Sequence, residues 1–260
     1  LITLDAVILA GGTLSSDDPL YPESVRGSRS LIDIHGKPMV QWVIDALDEA
    51  SSVAELYVIG LPADCGLHAV KPLHFLDDQG DMVDNIRYGV TQTYIDHPQR
   101  SKALIASADI PAIKPHMVEW LANQVAEDPS RVLYYNVISQ QVMEASFPNS
   151  SRTYIPFKDV SVCGGDLNVV DKNIFASERP VWQKLTDARK RPLKQAGLIG
   201  FTTLLLVATR LITLEGAVKR VVKRLDLDAR ALLNPYAEIG MDADKPHQLA
   251  ILRDYLQESL

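Results

Sequence analysis

Short apolar runs alternate with amphipathic stretches of helix length through the first half of the chain, and this alternation narrows the possible folds more than any other feature. Leu4 to Leu9 reads as a buried strand that stops at Ala10-Gly11-Gly12. A polar loop runs from Thr13 to about Ser30, followed by a second short strand, Leu31 to Ile34, and a turn at His35-Gly36. Pro38 stands where the first turn of a helix tolerates it, and Met39, Val40, Val43, Ile44 and Leu47 then carry the helical period. Leu56 to Ile59 and Phe75-Leu76 read as strands, and Met82, Ile86, Val90 and Tyr94 as one face of a helix. Ala103 to Ala106 is a strand that ends at Asp109-Ile110-Pro111; Pro115 opens a helix through Val125, and Val132 to Ile138 is a strand. Strand and helix in alternation at this spacing predict right-handed crossovers and a Rossmann-like α/β fold, a mixed, mostly parallel sheet flanked by helices.

The second half is less regular. Strands are expected at Tyr154 to Phe157 and Asp166 to Val170, around Gly164-Gly165, and a helix at Lys172 to Lys190 with Pro180 as a break. Val218, Val221, Val222 and Leu225 form a helix stripe, with Lys219, Arg220, Lys223 and Arg224 on its solvated side. A short strand near Ile239 and a helix through Leu256 close the sequence. With no linker or repeat, residues 1–260 read as one domain, 1–130 a nucleotide-binding half and 131–260 an acceptor-side half.

Composition excludes several functions. A net charge of -7 repels nucleic acid and anionic membranes at long range, but leaves room for a nucleotide bound by a local positive patch and a metal. The apolar stretch Ala196 to Leu214 is interrupted by Arg210 and diluted by glycines and threonines, so it reads as a buried core helix and not a membrane span. Two cysteines make no disulfide framework, and no basic-then-apolar leader opens the sequence; a cytoplasmic protein is the expectation. A second copy of the protein, as a homodimer, is the one macromolecular partner left open.

In a parallel sheet, ligands bind outside the carboxyl ends of the strands, where both Gly11-Gly12 and Asp109 fall. Glycines after a buried strand let backbone amides approach phosphate oxygens; they also make ordinary turns. Neither a Walker loop nor a G-x-G-x-x-G fingerprint is present. The long loop holds Arg26 and Arg29, whose forks suit a polyphosphate. An aspartate such as Asp109 at the end of an apolar strand must cap, pair or bind a cation. Asp242 and Asp244, two apart, share a side of an extended segment and repel unless a cation screens them. Asp109 with one of these would make a magnesium site; helix capping is the alternative. The six histidines show no zinc or triad spacing and read as surface or turn residues, and the loop acids Asp17, Asp18, Asp77, Asp78 and Asp81 as solvated.

Taken together, Val7-Ile8-Leu9-Ala10-Gly11-Gly12, Leu31-Ile32-Asp33-Ile34-His35-Gly36-Lys37-Pro38-Met39, Ala108-Asp109-Ile110-Pro111 and Asp242-Ala243-Asp244-Lys245-Pro246 resemble the MobA-like nucleoside triphosphate transferases, nucleotidyltransferases of a glycosyltransferase-A-like fold. The resemblance implies that a nucleoside monophosphate moves from a triphosphate to a small phosphorylated acceptor, with release of pyrophosphate. It implies that Leu9, Ala10, Gly11 and Gly12 hold the triphosphate, that Gln79-Gly80 lie near the base, and that Gly165, Asp166 and Asn168 lie on the acceptor side. Asp109 would be one Mg2+ ligand and Asp244 or Asp242 the second. Arg29 stands where the family usually has lysine, and it or Arg26 would neutralise the phosphates. A glycosyltransferase of the same fold is an alternative, although such enzymes typically carry two aspartates one residue apart near the middle of the sequence, where Ser107-Ala108-Asp109 has only one. A nucleotide-binding module without turnover is another.

Overall fold

The computed structural model describes residues 2–176 and 200–258. A nine-stranded sheet runs in the order β5 (Leu73–Leu76), β4 (Val53–Ile59), β1 (Leu4–Leu9), β6 (Lys102–Ser107), β10 (Leu167–Asp171), β7 (Leu133–Ser139), β9 (Ser161–Gly164), β8 (Ile155–Pro156), with β11 (Ala229–Asn234) paired parallel to β7. Within it β10 and β9 run against the other strands, so the sheet is mixed and mostly parallel. It joins strands from both halves of the sequence across the β6–β10 pair.

β1 is a near-continuous apolar run because both of its faces are covered. Ala6 and Ile8 face α1 (Met39–Glu49) and α3 (Pro115–Glu127), whereas Val7 faces α2 (Met82–Asp96). A third cluster packs Leu20, Ile32 and Met39 against Met143 of α4 (Gln140–Ser146) and Leu249 and Leu252 of α8 (Pro246–Gln257). The short α5 (Asn173–Ala176) follows β10.

Several sequence expectations need correction. Leu31 to Ile34 contributes no strand to the main sheet; β2 (Asp33–Ile34) and β3 (Lys37–Pro38) form a separate two-stranded ribbon around the expected His35-Gly36 turn. No strand forms at Ile239, which lies in a 3-10 turn, Ala237–Gly240; the strand of that region is β11, whose Ala-Arg-Ala-Leu-Leu sequence takes extended form through pairing with β7 and not through propensity. α2 buries Asn85, Gly89, Val90 and Thr93, while Met82 and Tyr94 are exposed. Steps of four residues drift around a helix that turns every 3.6, so the expected stripe does not stay on one face. Within 196–214, α6 (Phe201–Ala208) is no core helix: Leu205 is 53% exposed and Leu211 68%. No described helix is long and apolar enough to cross a membrane. The stripe on α7 (Leu214–Leu225) is half-buried with its charges outward, in agreement with the sequence pattern. Of the expected helix Lys172 to Lys190, residues beyond Ala176 lie outside the described ones.

The histidines are not all surface or turn residues. His74 and His97 bracket Glu55 at 2.9 and 2.7 Å; burial is the largest influence on its carboxyl and pushes it up, but the two imidazoles together outweigh it and hold the carboxyl below the usual range. Beside them, fully buried Asp5 pairs with Arg100 and with Lys172 Nζ at 3.3 Å. Both acids at this end of the sheet are thus matched from within the protein.

The strand ends that face the cleft depend on close backbone approach. A Cβ on Gly60, just past β4, would lie 2.2 Å from Gly11 Cα, and Gly60 has φ +92°. Gly60→Ala should therefore lower unfolding free energy by about 2–4 kcal/mol through strain and overpacking. Urea denaturation checks this; an unchanged midpoint would show that the Gly11–Gly60 contact is loose.

Candidate active site

Register places the two candidate motifs side by side. Leu9 pairs with Ser107 across β1–β6, so Gly11-Gly12 and Asp109 both emerge two or three residues beyond paired positions. Ala108 N donates to Leu9 O at 3.1 Å and ties the two exits together. The third motif is bonded to the second, Ala243 N donating to Asp109 O at 2.9 Å. The acceptor-side strand joins in the same way: Ser107 N donates to Asp166 O, and Asp166 N to Ile239 O, both at 2.9 Å. Segments far apart in sequence thus meet through backbone hydrogen bonds, at the rim of a cleft of about 670 Å3.

Four carboxylates converge there. Asp109, 18% exposed, accepts a 2.5 Å hydrogen bond from Ser107 Oγ; burial, and beside it the Asp244 charge, raises its pKa. Asp166 is pushed up to about 7 by burial and by Asp109, Asp242 and Asp244. Burial, opposed by Arg152, lifts Asp242 to about 6. Two guanidiniums answer these charges. Arg29 pairs closely with Asp244, lies 3.6 Å from Asp109 and 4.0 Å from Asp18. Arg152 pairs closely with Asp242. Asp166 Oδ2 and Arg152 Nε are buried without a hydrogen-bond partner among the described residues.

The glycine turn has its own acidic neighbour. Asp78 Oδ1 accepts from Gly80 N and from Asn85 Nδ2, both at 2.9 Å, and the carboxylate also accepts from the Gly12 backbone. The Asn85 bond is the largest of the influences holding the Asp78 carboxyl low. A Cβ on Gly11 would come within 3.1 Å of Asp78, which gives the glycine a reason. Gly12, at φ +98°, has open space where a side chain would point.

Leu9, Gly11, Gly12, Arg29, Gly80, Asp109, Gly165, Asp166 and Asn168 line the cleft. Ala10 is buried behind it, its carbonyl accepting from Ser30 Oγ at 3.0 Å. Gln79 lies outside the lining, its side-chain amide bonded to Asp77 O at 2.9 Å. Arg26 is exposed, outside the lining, and among the described residues makes no ion pair with the four carboxylates. Asp242 and Asp244 lie outside the lining; Asp244 is joined to it through Arg29, whereas Arg152, the partner of Asp242, does not line the cleft. Neither serves as a cap: the N-cap of α8 is Lys245, with no side-chain hydrogen bond. Sequence reading misses Asp78, Asn85 and Arg152. Asp78 reads as one of the solvated loop acids, of which Asp81 is in fact the N-cap of α2. Arg152, in an irregular stretch between α4 and β8, carries no sequence signal.

The donor set fits a hard divalent cation. Magnesium binds through one or two carboxylates plus substrate phosphates. Among the described residues no group of three or more His, Cys, Asp or Glu could hold a metal ion by itself, but Asp109 and Asp244 share one cationic partner and so already lie on either side of a positive charge.

A MobA-like NTP transferase domain matches residues 6–190. No curated protein matches the sequence. Among solved structures, a hypothetical transferase from Thermus thermophilus is similar at 29% identity and TM-score 0.82, over 95% of this protein and 100% of that one. A CMP:2-keto-3-deoxy-manno-octonic acid synthetase solved with CTP shares the fold at 15% identity and TM-score 0.61, with all of both proteins covered. So does a 4-diphosphocytidyl-2C-methyl-D-erythritol synthase from Anaerococcus prevotii, at 11% identity and TM-score 0.60, over 98% of this protein and 99% of that one.

The Arg152–Asp242 pair is 14% and 13% exposed, so losing one partner strands a buried charge. Arg152→Met should cost about 3–5 kcal/mol of stability, and adding Asp242→Asn should restore more than half of it. A denaturation cycle with the two singles and the double measures this; a loss below about 1 kcal/mol in the single would rule the pair out as a structural element.

Proposed function

The chain belongs to the MobA-like NTP transferase family, and from that premise we propose that it is a nucleotidyltransferase. A nucleoside triphosphate and a small phosphorylated acceptor would meet in the cleft between Gly11-Gly12 and Asp166. An acceptor phosphate oxygen would attack the α-phosphorus, forming one P–O bond as the bond to pyrophosphate breaks. That oxygen is ionised already, so no strong protein base is needed, in keeping with a cleft that has no histidine among its described lining residues.

The observation that carries this reading is the convergence of Asp109 and Asp244 on Arg29, at a cleft floored by a glycine turn. Asp109 and Asp244 are the residues that would hold Mg2+, whose chemistry there is charge neutralisation on the phosphates. Asp242 is the weaker candidate, since Arg152 already satisfies it. Gly12 would present its backbone to the phosphates from its open side, with Gly80 and Asn85 toward the base. Gly165, Asp166 and Asn168 would position the acceptor; the Asn168 amide is held by Asn136 N at 2.8 Å and Gly165 O at 3.0 Å. Arg29 would place its fork on the triphosphate.

Incubation with each of four nucleoside triphosphates and a panel of sugar and cofactor phosphates, read by pyrophosphate release, tests the proposal; release that never depends on an acceptor would reject it. In the active pairing, Asp109→Ala should lower turnover about a thousandfold, corresponding to about 4 kcal/mol of lost transition-state stabilisation, with an unchanged circular dichroism spectrum. Normal turnover in that variant would remove Asp109 from the site. Arg29→Ala should weaken triphosphate binding about ten- to a hundredfold. If calorimetry finds the loss in Arg26→Ala instead, the role passes to Arg26.

A further inference from the structure

We infer that Arg29 is the resident counter-cation of the nucleotide-free site, holding Asp109 and Asp244 together in the place a divalent cation would take and giving that place up when the triphosphate arrives. The inference rests on the nucleotidyltransferase reading and adds a property that reading does not contain: Arg29 opposes metal binding in the absence of nucleotide.

Three observations carry it. The guanidinium lies between the two carboxylates, closely paired with Asp244 and 3.6 Å from Asp109. One gap between two carboxylates cannot hold a guanidinium and a divalent ion at once, because the two would occupy the same space and like charges in contact repel. Asp242 offers no alternative, since its pair with Arg152 is buried at 14% and 13% exposure, whereas Asp244 is half-exposed.

Arg29 also has somewhere to go. Its backbone is fixed, because Ser30 Oγ bonds to Ala10 O, Leu14 N bonds to Gly27 O at 2.8 Å, and Thr13 bridges Ser28. The loop therefore stays while the guanidinium arm, 27% exposed, is free to turn. Arg29 lines the same cleft as Gly11 and Gly12, so a polyphosphate bound there offers the fork new acceptors. Each ligand then makes room for the other: the phosphates draw Arg29 off the carboxylates, and the vacated carboxylates take the cation. By linkage this is positive coupling between metal and triphosphate.

Calorimetry with Mn2+ alone, without nucleotide, tests the inference through a readout independent of turnover. Arg29→Gln should bind Mn2+ at least about tenfold more tightly than the unaltered protein, and Asp244→Asn added to it should abolish that gain. Arg29→Lys keeps a charge on a similar stem and should stay near the weak binding of the unaltered protein. Equal or weaker binding in Arg29→Gln, or equal gains in the Gln and Lys variants, would overturn the inference, as would absence of Mn2+ binding in all three. A measurement on the unaltered protein guards against a variant that does not fold: the Arg29 Nε–H resonance should shift on Mg2+ addition with inorganic tripolyphosphate present, and an unmoved resonance would count against the exchange. Acceptor-dependent pyrophosphate release in the unaltered protein, alongside any of these negative results, would leave the transferase reading intact and remove this one alone.

Discussion

A single backbone hydrogen bond, from Ala243 N to Asp109 O, decides what this molecule is able to do. It fastens an irregular segment near the end of the sequence to the exit of a strand in the middle of the sheet. Asp242 and Asp244 flank its donor and Asp109 owns its acceptor, so the carboxylates are drawn together by backbone geometry whatever their side chains prefer. Ser107 N to Asp166 O and Asp166 N to Ile239 O extend the same lacing to the acceptor-side strand. These bonds form in a water-poor setting, where an unpaired amide costs about 1–3 kcal/mol, so the acids cannot be pushed apart without breaking them.

The two ends of the sheet treat buried charge differently. At the entry end Asp5 meets Lys172 and Arg100, and Glu55 meets two histidines and Arg100, so each acid has a cationic or hydrogen-bonding answer inside the protein. At the exit end four carboxylates share two guanidiniums, and Asp109, Asp166 and Asp242 all have raised pKa values, burial being the largest cause of each. The fold thus balances buried charge at one end and leaves more carboxylates than guanidiniums at the other, the arrangement on which the proposed cation role of Asp109 and Asp244 rests. A structural role alone does not account for that asymmetry, because the same molecule shows how buried acids are matched when stability is all that is required.

Much of this is legible in the sequence. A strand buried on both faces, a glycine turn at its end, and a later strand ending in Asp109 point to a parallel sheet and to the edge at which ligands bind. Their adjacency follows from strand order, which the alternation of strands and helices does not specify and the β1–β6 pairing supplies. Legibility fails where local sequence and tertiary context disagree. Ala229 to Leu233 lacks strand propensity and is extended only because β7 offers a partner. The face of α2 misleads because a four-residue spacing imitates a helical stripe over one or two turns and drifts over four. Asp78 and Asp77 are neighbours of the same type, yet Asp78 alone is locked to Gly80, Asn85 and the Gly12 backbone. Arg152 reaches Asp242 across ninety residues, a distance no local pattern spans.

Position 29 joins these threads. The family resemblance leads one to expect lysine there, and this protein has arginine. For a phosphate contact the exchange is tolerable, since either cation neutralises an anion. For reaching three carboxylates it is not neutral: an ammonium is a compact point charge, whereas a planar fork presents separate donors in fixed directions. Arg29 Nη1 contacts both Asp244 and Asp109, and Nη2 lies 4.0 Å from Asp18, so the second nitrogen of the fork reaches a third acid. A lysine ammonium in the place of Nη1 would serve Asp244 and Asp109 together but leave Asp18 without a cation. Arginine at this position therefore does for Asp18 what lysine cannot, in addition to pairing the two acids that a lysine would also serve.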